Sequence, residues 1–265
     1  SNKKNITELI DNKKNLGFVP TMGGIHKGHI SLIRRSIKEC RFTVVSIFVN
    51  KQQFNKKSDF NEYPRNLTND VKKIKKLKVD VLFLPTIKEI YPKGYNKKIK
   101  IHSLKKKLCG KFRPGHFEGV ADVIDRFIKI IKPKKIYFGE KDMQQLKIME
   151  DFIKKNHPLC KVISCKTIRD INGIACSSRN QFLSKPQKII ASKVTKLLIK
   201  KRKKLIYNKI SVNNFKKILD KIGVKNIDYI NILNVNKLIK PYKKKNKYKV
   251  FIAYYLGKTR LIDNI

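Results

Sequence analysis

The sequence predicts an α/β fold, with a mostly parallel, doubly wound sheet over the first two-thirds and a smaller α+β unit after it. Three observations predict it. Five short apolar runs alternate with segments of helical period. Several runs end in a glycine turn or in polar amides that lead into a helix, as strands of open parallel sheets do where they border a ligand crevice. Beyond about Thr167 the texture changes to long basic helices followed by closely spaced strand candidates. The expected domain division is 1–167 and 168–265.

Each element follows in order. Leu16–Pro20 is a short apolar strand, Gly23-Gly24 turns the chain, and a helix runs from about Gly28 to Glu39. Phe42–Asn50 is apolar and β-branched on both faces, which suits a buried parallel strand. A basic helix spans about Thr68–Leu77 and a strand Asp80–Leu84. Val120, Val123, Ile124, Phe127, Ile130 and Ile131 recur at helical spacing, and that helix stops before Pro133. Lys135–Phe138 is a strand, Asp142–Lys155 a helix and Lys161–Cys165 a strand. In the last third, Pro186 opens a helix to about Lys204, and a second helix covers Val212–Ile222. Strands are expected at Ile227–Leu233, Lys249–Tyr255 and Arg260–Ile262.

Composition excludes several classes. A hydrophobic fraction of 41% in 265 residues is too high for a disordered polycation. No apolar run reaches the roughly 18 residues that span a bilayer, and the N-terminus has no apolar segment of the signal-peptide kind. Five cysteines, Cys40, Cys109, Cys160, Cys165 and Cys176, lack metal-ligand spacing and fit free thiols in a reducing cytoplasm. The net charge of +45 points first to nucleic acid. Yet the 64 basic residues comprise only ten arginines against 54 lysines, and Asn and Ile are also heavily used. Those three residue types share A/T-rich codons, so nucleotide composition explains the bias without a polyanionic partner. Blocks such as Lys200–Lys204 and Lys243–Lys245 then read as solvated faces or loops. Against this background Arg65, Arg113, Arg169, Arg179 and Arg260 stand out, either as bidentate anion contacts or as holders of structural carboxylates.

Five segments carry chemistry. Pro20–His29 follows a strand and opens a helix. Its glycines permit close backbone approach, and a helix N-terminus suits phosphate. His26 and His29 share a face there, as phosphate contacts, as caps of the turn, as a core pair or as two metal ligands short of a set. Ser46–Phe54, leading to Tyr63-Pro64-Arg65, places Gln53 past a strand end, to read a hydroxyl or carboxylate or to cap the strand. Arg113–Gly119 is a shaped loop with no function evident from its residues. Tyr137–Gln145 repeats the strand–glycine–helix plan, with Lys141 to meet phosphate, Asp142 to accept from hydroxyls, or the two as a surface pair. Ile168–Asn180 gathers Ser177, Ser178 and Arg179 after a glycine turn. Cys176 has no base beside it and is a poor nucleophile candidate.

In this order and spacing the segments resemble the pantothenate synthetase (pantoate–β-alanine ligase) family. The matching stretches read PTMGGIHKGH, SIFVNKQQF with YPR, RPGHFEGV, YFGEKDMQQL and NGIACSSRN, and Gly257–Asn264 resembles the family's ending. The likeness is strong over about 17–183, weak over 186–226, and returns at the end. It implies a Rossmann-like fold of the nucleotidyltransferase type with a C-terminal lid domain, in a cytoplasmic homodimer. It also implies use of ATP and Mg²⁺ to join pantoate to β-alanine.

By position, the resemblance assigns Met22, Gly23, Gly24, Ile25, His26, Lys27, Gly28 and His29 to ATP, with His29 in the proton-donor place. Gly139, Glu140, Lys141, Asp142, Ile168, Cys176, Ser177, Ser178 and Arg179 are also assigned to ATP. His26, His29 and Lys141 form the catalytic set. Gln53 is assigned to pantoate and β-alanine, and Gln145 to pantoate. Metal ligands are not implied. Three departures stand out: Gly24 replaces the family's Ala and is expected to loosen the loop, Lys51 replaces a Pro, and Asn172 replaces an Asp.

Overall fold

The computed structural model describes residues 3–96, 98–235, 238 and 248–265. The chain divides into two units, Ser1–Glu140 with Gln145–Lys166, and Lys141–Gln144 with Thr167–Ile265.

In chain order, α1 (Lys3–Ile10) precedes β1 (Leu16–Thr21), and α2 (Lys27–Glu39) precedes β2 (Phe42–Ile47). A single 3₁₀ turn (Lys51–Gln53), α3 (Lys57–Asn61) and α4 (Leu67–Lys75) lead to β3 (Val81–Phe83). Then come α5 (Ile87–Ile90), α6 (Leu108–Phe112), α7 (His116–Ile131), β4 (Lys135–Gly139), α8 (Met143–Asn156) and β5 (Lys161–Cys165). The five strands are parallel in the order β3-β2-β1-β4-β5. This is a doubly wound sheet, and the order reverses between β1 and β4, where such sheets open a crevice at the strands' carboxyl ends.

Phe18, Val19, Val44, Val45, Ile136 and Tyr137 are fully buried, as strands covered on both faces require. On one face Phe127 of α7 sets its ring 5.4 Å from Phe18 and 6.0 Å from both Phe48 and Phe83. On the other, Leu32 and Ile33 of α2 pack with Val19 and Val45.

The second unit holds α9 (Lys185–Ile206), α10 (Val212–Lys221) and an antiparallel sheet, β6 (Asn226–Asn234), β7 (Tyr248–Leu256) and β8 (Thr259–Asn264), in that order. Ser184 and Gln187 form a capping box at the start of α9, with Pro186 in its first turn. Leu198, Leu205, Phe215, Leu219, Val250 and Ile252 make its fully buried centre. Lys200, Lys203 and Lys204 are exposed. Lys243–Lys245 lie outside the described residues.

The main differences from the expected boundaries have local causes. β2 stops at Ile47, because Asn50 turns away to cap the 3₁₀ turn by accepting from the Gln52 N–H. Arg113–Gly119 is not all loop: Gly115, at φ +78°, turns the chain so that His116–Gly119 already belong to α7. Helices α1, α3, α5 and α6 were not expected from the sequence. All but α1 have five residues or fewer, too short to show a period. Among the described residues no helix is long and apolar enough to cross a membrane, and all five cysteines are free thiols.

Candidate active site

The turn after β1 is built from a distance. Asp70 of α4 is buried and accepts from the Gly24 and Ile25 N–H groups, each at 2.8 Å. One turn later Lys73 donates to the Ile25 carbonyl at 2.8 Å. Gly23 sits at φ +81°, and a Cβ there would lie 2.9 Å from Asp70 Oδ2, so the approach requires glycine twice over. Gly24 sits at φ +61°, and Asp70 holds its N–H. Met22, Gly23, Ile47, Arg65 and Asp70 share a cleft of about 390 Å³ at the strand ends of this unit.

His26 is the N-cap of α2, and its Nδ1 accepts from the Gly28 N–H at 3.1 Å. An accepting Nδ1 places the proton on Nε2 in the neutral ring, so His26 offers Nε2–H as a donor. His29 stacks on it with ring centroids 4.0 Å apart and planes 23° apart. The two imidazoles therefore form one slab at the positive end of the helix dipole.

The turn after β2 is held inside by neutral side chains and from one side by a single cation, Arg113. Gln53 and Asn50 are both buried. Asn50 Nδ2 donates to the Gly119 carbonyl at 2.9 Å, and Asn50 Oδ1 accepts from the Tyr91 hydroxyl at 3.0 Å. The Gln53 carbonyl lies 2.6 Å from His116 Nδ1 and accepts from Arg113 at 3.1 Å. A Cβ on Gly119 would lie 2.7 Å from Gln52 backbone atoms, so α7 can seat against this turn only through a glycine. The Arg113–Gly119 segment, opaque in the sequence, is thus the scaffold that positions Gln53. Asn55 also donates from its side-chain amide to the Pro114 carbonyl.

At the end of β4, Ser164 donates to Glu140 at 2.8 Å, and Arg35 of α2 donates to the Ser164 carbonyl at 2.5 Å. Gln145 is half-buried on α8. In the second unit, Lys141 Nζ lies 3.7 Å from Asp142 Oδ1, and the Lys141 carbonyl accepts from Asn264 at 2.9 Å. The Ile168 carbonyl accepts from the buried Cys176 at 2.9 Å, which closes the Asp170–Gly173 turn. Ser177 caps the following 3₁₀ turn (Ser178–Phe182) by accepting from the Arg179 N–H at 3.3 Å. Ser177, Ser178 and Arg179 are half-buried.

The family model described as pantoate-β-alanine ligase matches residues 1–265. The chain belongs to the pantoate-β-alanine ligase family. A pantothenate synthetase from a Sulfurihydrogenibium species is 42% identical over 258 residues, covering 95% of this chain and 92% of the relative. The crystal structure of pantothenate synthetase from Thermus thermophilus is 32% identical with a TM-score of 0.89, covering 98% of this chain and 96% of that one. The Francisella tularensis pantoate-β-alanine ligase, solved with β-γ ATP and β-alanine, is 35% identical with a TM-score of 0.86, covering 100% of this chain and 95% of that one. The Rossmann-like sheet with its small antiparallel C-terminal sheet is the architecture these ligases share.

Membership of the ligase family accounts for the spacing of the five segments. It leaves open what holds them, and here sequence reading missed Asp70, Asn50, Tyr91 and His116. Asp70 lies inside a basic helix with no motif around it, so its only signal was a lone carboxylate among lysines. The arginines that stood out serve mostly as struts. Arg169 forms a fork on Asp263 at 2.7 and 2.9 Å, Arg260 pairs with Asp228 at 2.7 Å, and Arg65 donates to the Phe60 and Asn61 carbonyls.

Proposed function

We propose that this ligase joins pantoate to β-alanine through a pantoyl-adenylate intermediate. A pantoate carboxylate oxygen attacks the α-phosphorus of ATP, the bond to the β-phosphate breaks, and pyrophosphate leaves. The β-alanine amine then attacks the acyl carbon, the C–N bond forms, AMP leaves, and the amine proton passes to solvent. The chain needs no nucleophile of its own, and its task is alignment and charge stabilisation.

The observation that carries the reading is the pairing of two turns at neighbouring strand ends. One offers the His26–His29 slab at a helix N-terminus, which suits a phosphate chain. The other offers the buried Gln53, which suits a small hydroxy acid. In this reading Met22–His29 and Gly139–Asp142 contact ATP, with His26, His29 and Lys141 countering phosphate charge. Ile168 and Cys176–Arg179 of the second unit serve the same nucleotide. Gln53 contacts pantoate and β-alanine, and Gln145 contacts pantoate. Residues 1–167 then act as the ATP and pantoate domain and 168–265 as a lid.

Among the described residues no three of His, Cys, Asp and Glu gather as a metal cage. In this reading Mg²⁺ is carried in on ATP, an ion usually held by phosphates, water and at most one or two carboxylates. When bound it would neutralise phosphate charge. Homodimer formation, which rests on the family resemblance, and a cytoplasmic location, which the free thiols also favour, complete the proposal.

Exchange of labelled pyrophosphate into ATP tests the reading. Exchange should require pantoate, not β-alanine, and should fall about 10²–10³-fold in His29→Ala and in Lys141→Ala. Exchange without pantoate, no exchange at all, or near-normal exchange in both variants would overturn it.

A further inference from the structure

We infer that Tyr91 is a positioning residue for the acid substrate, acting through a buried relay that fixes which end of the Gln53 amide meets it. The inference rests on the reading of Gln53 as a pantoate contact.

The relay has three members, all buried: Tyr91 at 6%, Asn50 at 1% and Gln53 at 8% exposure. Tyr91 follows α5 and donates its hydroxyl proton to Asn50 Oδ1 at 3.0 Å, so that it holds the Asn50 amide in the direction that the Gln52 N–H and the Gly119 carbonyl, each able to bond only one way, also require. Asn50 Nδ2 must then face the other way. There it donates to the Gly119 carbonyl at 2.9 Å and to Gln53 Oε1 at 3.4 Å. With Oε1 engaged from behind, Gln53 presents Nε2, which only donates. A pantoate carboxylate or hydroxyl oxygen is the matching acceptor. With the Asn50 amide reversed, Gln53 would present an oxygen to an anionic acid, which repels it.

Tyr91 is fitted to start such a relay. Burial pushes its hydroxyl well above the usual phenol range, with a smaller push from the Asp122 charge, so it keeps its proton. Its ring is clamped. The Arg126 guanidinium lies 4.6 Å over it, held by Asp122 at 2.8 Å and by the Ile90 carbonyl at 2.9 Å, and Tyr95 packs 4.5 Å away. The Gln52 N–H also donates to Asn50 Oδ1, at 3.4 Å, which reinforces the same amide direction.

Tyr91→Phe removes the hydroxyl and keeps the ring. In pantoate-dependent pyrophosphate exchange its KM for pantoate should rise about 10-fold, with KM for ATP within about twofold of wild type. The deciding measurement is Tyr91→Phe combined with Gln53→Ala. If Tyr91 acts through Gln53, the double variant matches Gln53→Ala alone. If the two losses multiply, or Tyr91→Phe leaves the pantoate KM unchanged, the relay is wrong. If Tyr91→Phe does not fold, Asn50→Asp keeps the shape but sets an oxygen against Gln53 Oε1. It should raise the pantoate KM alone, and an unchanged pantoate KM would overturn the relay. A wild-type enzyme with no pantoate-dependent exchange would instead sink the reading of the reaction itself, which separates the two failures.

Discussion

The turns after β1 and β2 stand at neighbouring strand ends and are built in opposite ways. The first is held by charge: Asp70 takes two loop N–H groups and Lys73 a carbonyl. The second closes on Gln53 through neutral side chains and backbone, the Asn50 amide, the Tyr91 hydroxyl and the Gly119 carbonyl, with one cation, Arg113, on the Gln53 carbonyl. Under the proposed roles the difference follows from what each turn would meet. A phosphate-facing loop needs a rigid backbone, and a carboxylate behind it fixes that backbone while its own charge is absorbed by the two N–H groups it accepts from. A turn that reads a small hydroxy acid gains more from donors of fixed direction than from added charge.

The sharpest way to break this comparison is to move the second turn alone. Gly119→Ala would set a Cβ 2.7 Å from Gln52 backbone, so α7 and the turn must separate by several tenths of an ångström or more. Misplacement of that order costs roughly 10²-fold. The loss should fall on kcat/KM for pantoate while KM for ATP holds in steady-state assays. Equal losses for both substrates would mean that the two turns move as one.

Asp70→Asn strikes the first turn. The variant keeps the shape but offers NH₂ where one loop N–H needs an acceptor. An unmet buried donor costs about 1–3 kcal/mol. KM for ATP should rise about 10-fold and the pantoate KM should stay near wild type. If the pantoate KM rises instead, Asp70 serves the wrong turn for the division drawn here.

Much of this was legible in the sequence. The parallel sheet showed as doubly apolar runs such as Phe42–Asn50, and the two turns showed because Gly23-Gly24 and Gln53 sit at strand ends. What stayed hidden was support over long sequence separations. Asp70 reaches back 46 residues to Gly24, and Tyr91 reaches back 41 residues to Asn50. No period or local motif encodes such pairs. The arginines were legible only as a choice, between anion contacts and holders of structural carboxylates, for the same reason. Arg169 takes the second role, its fork on Asp263, 94 residues on.

That strut gives a smaller prediction, confined to the second unit. Asp263 is buried, and lysine cannot reproduce the fork that meets it. Arg169→Lys should destabilise by about 1–3 kcal/mol, a hydrogen-bonded charge pair being reduced rather than lost. Chemical denaturation would show an earlier transition, with the pantoate KM of the remaining folded enzyme unchanged. A shifted pantoate KM would tie the strut to the second turn.

The smallest effect is expected at the far end of α2 from the histidines. There Glu39 pairs with Arg35 at 2.7 Å, accepts from the Tyr137 hydroxyl at 3.1 Å and meets Lys135 at 3.5 Å. Arg35 foremost holds its carboxyl below the usual range, against a desolvation that pushes it up. A carboxylate depressed in the folded state stabilises fully above its unfolded pKa of about 4.3 and loses that contribution as pH falls through the folded value. Glu39→Gln lacks the contribution at every pH. Melting temperatures of the two proteins should therefore differ most near neutrality and draw together as pH falls below the unfolded pKa and through the lower folded value. The KM for ATP at pH 7 carries the comparison of turns. If it is unchanged, the His26–His29 slab is set by its own cap and by Asp70. If it rises, α2 transmits strain along its length, and the first turn is held from two ends.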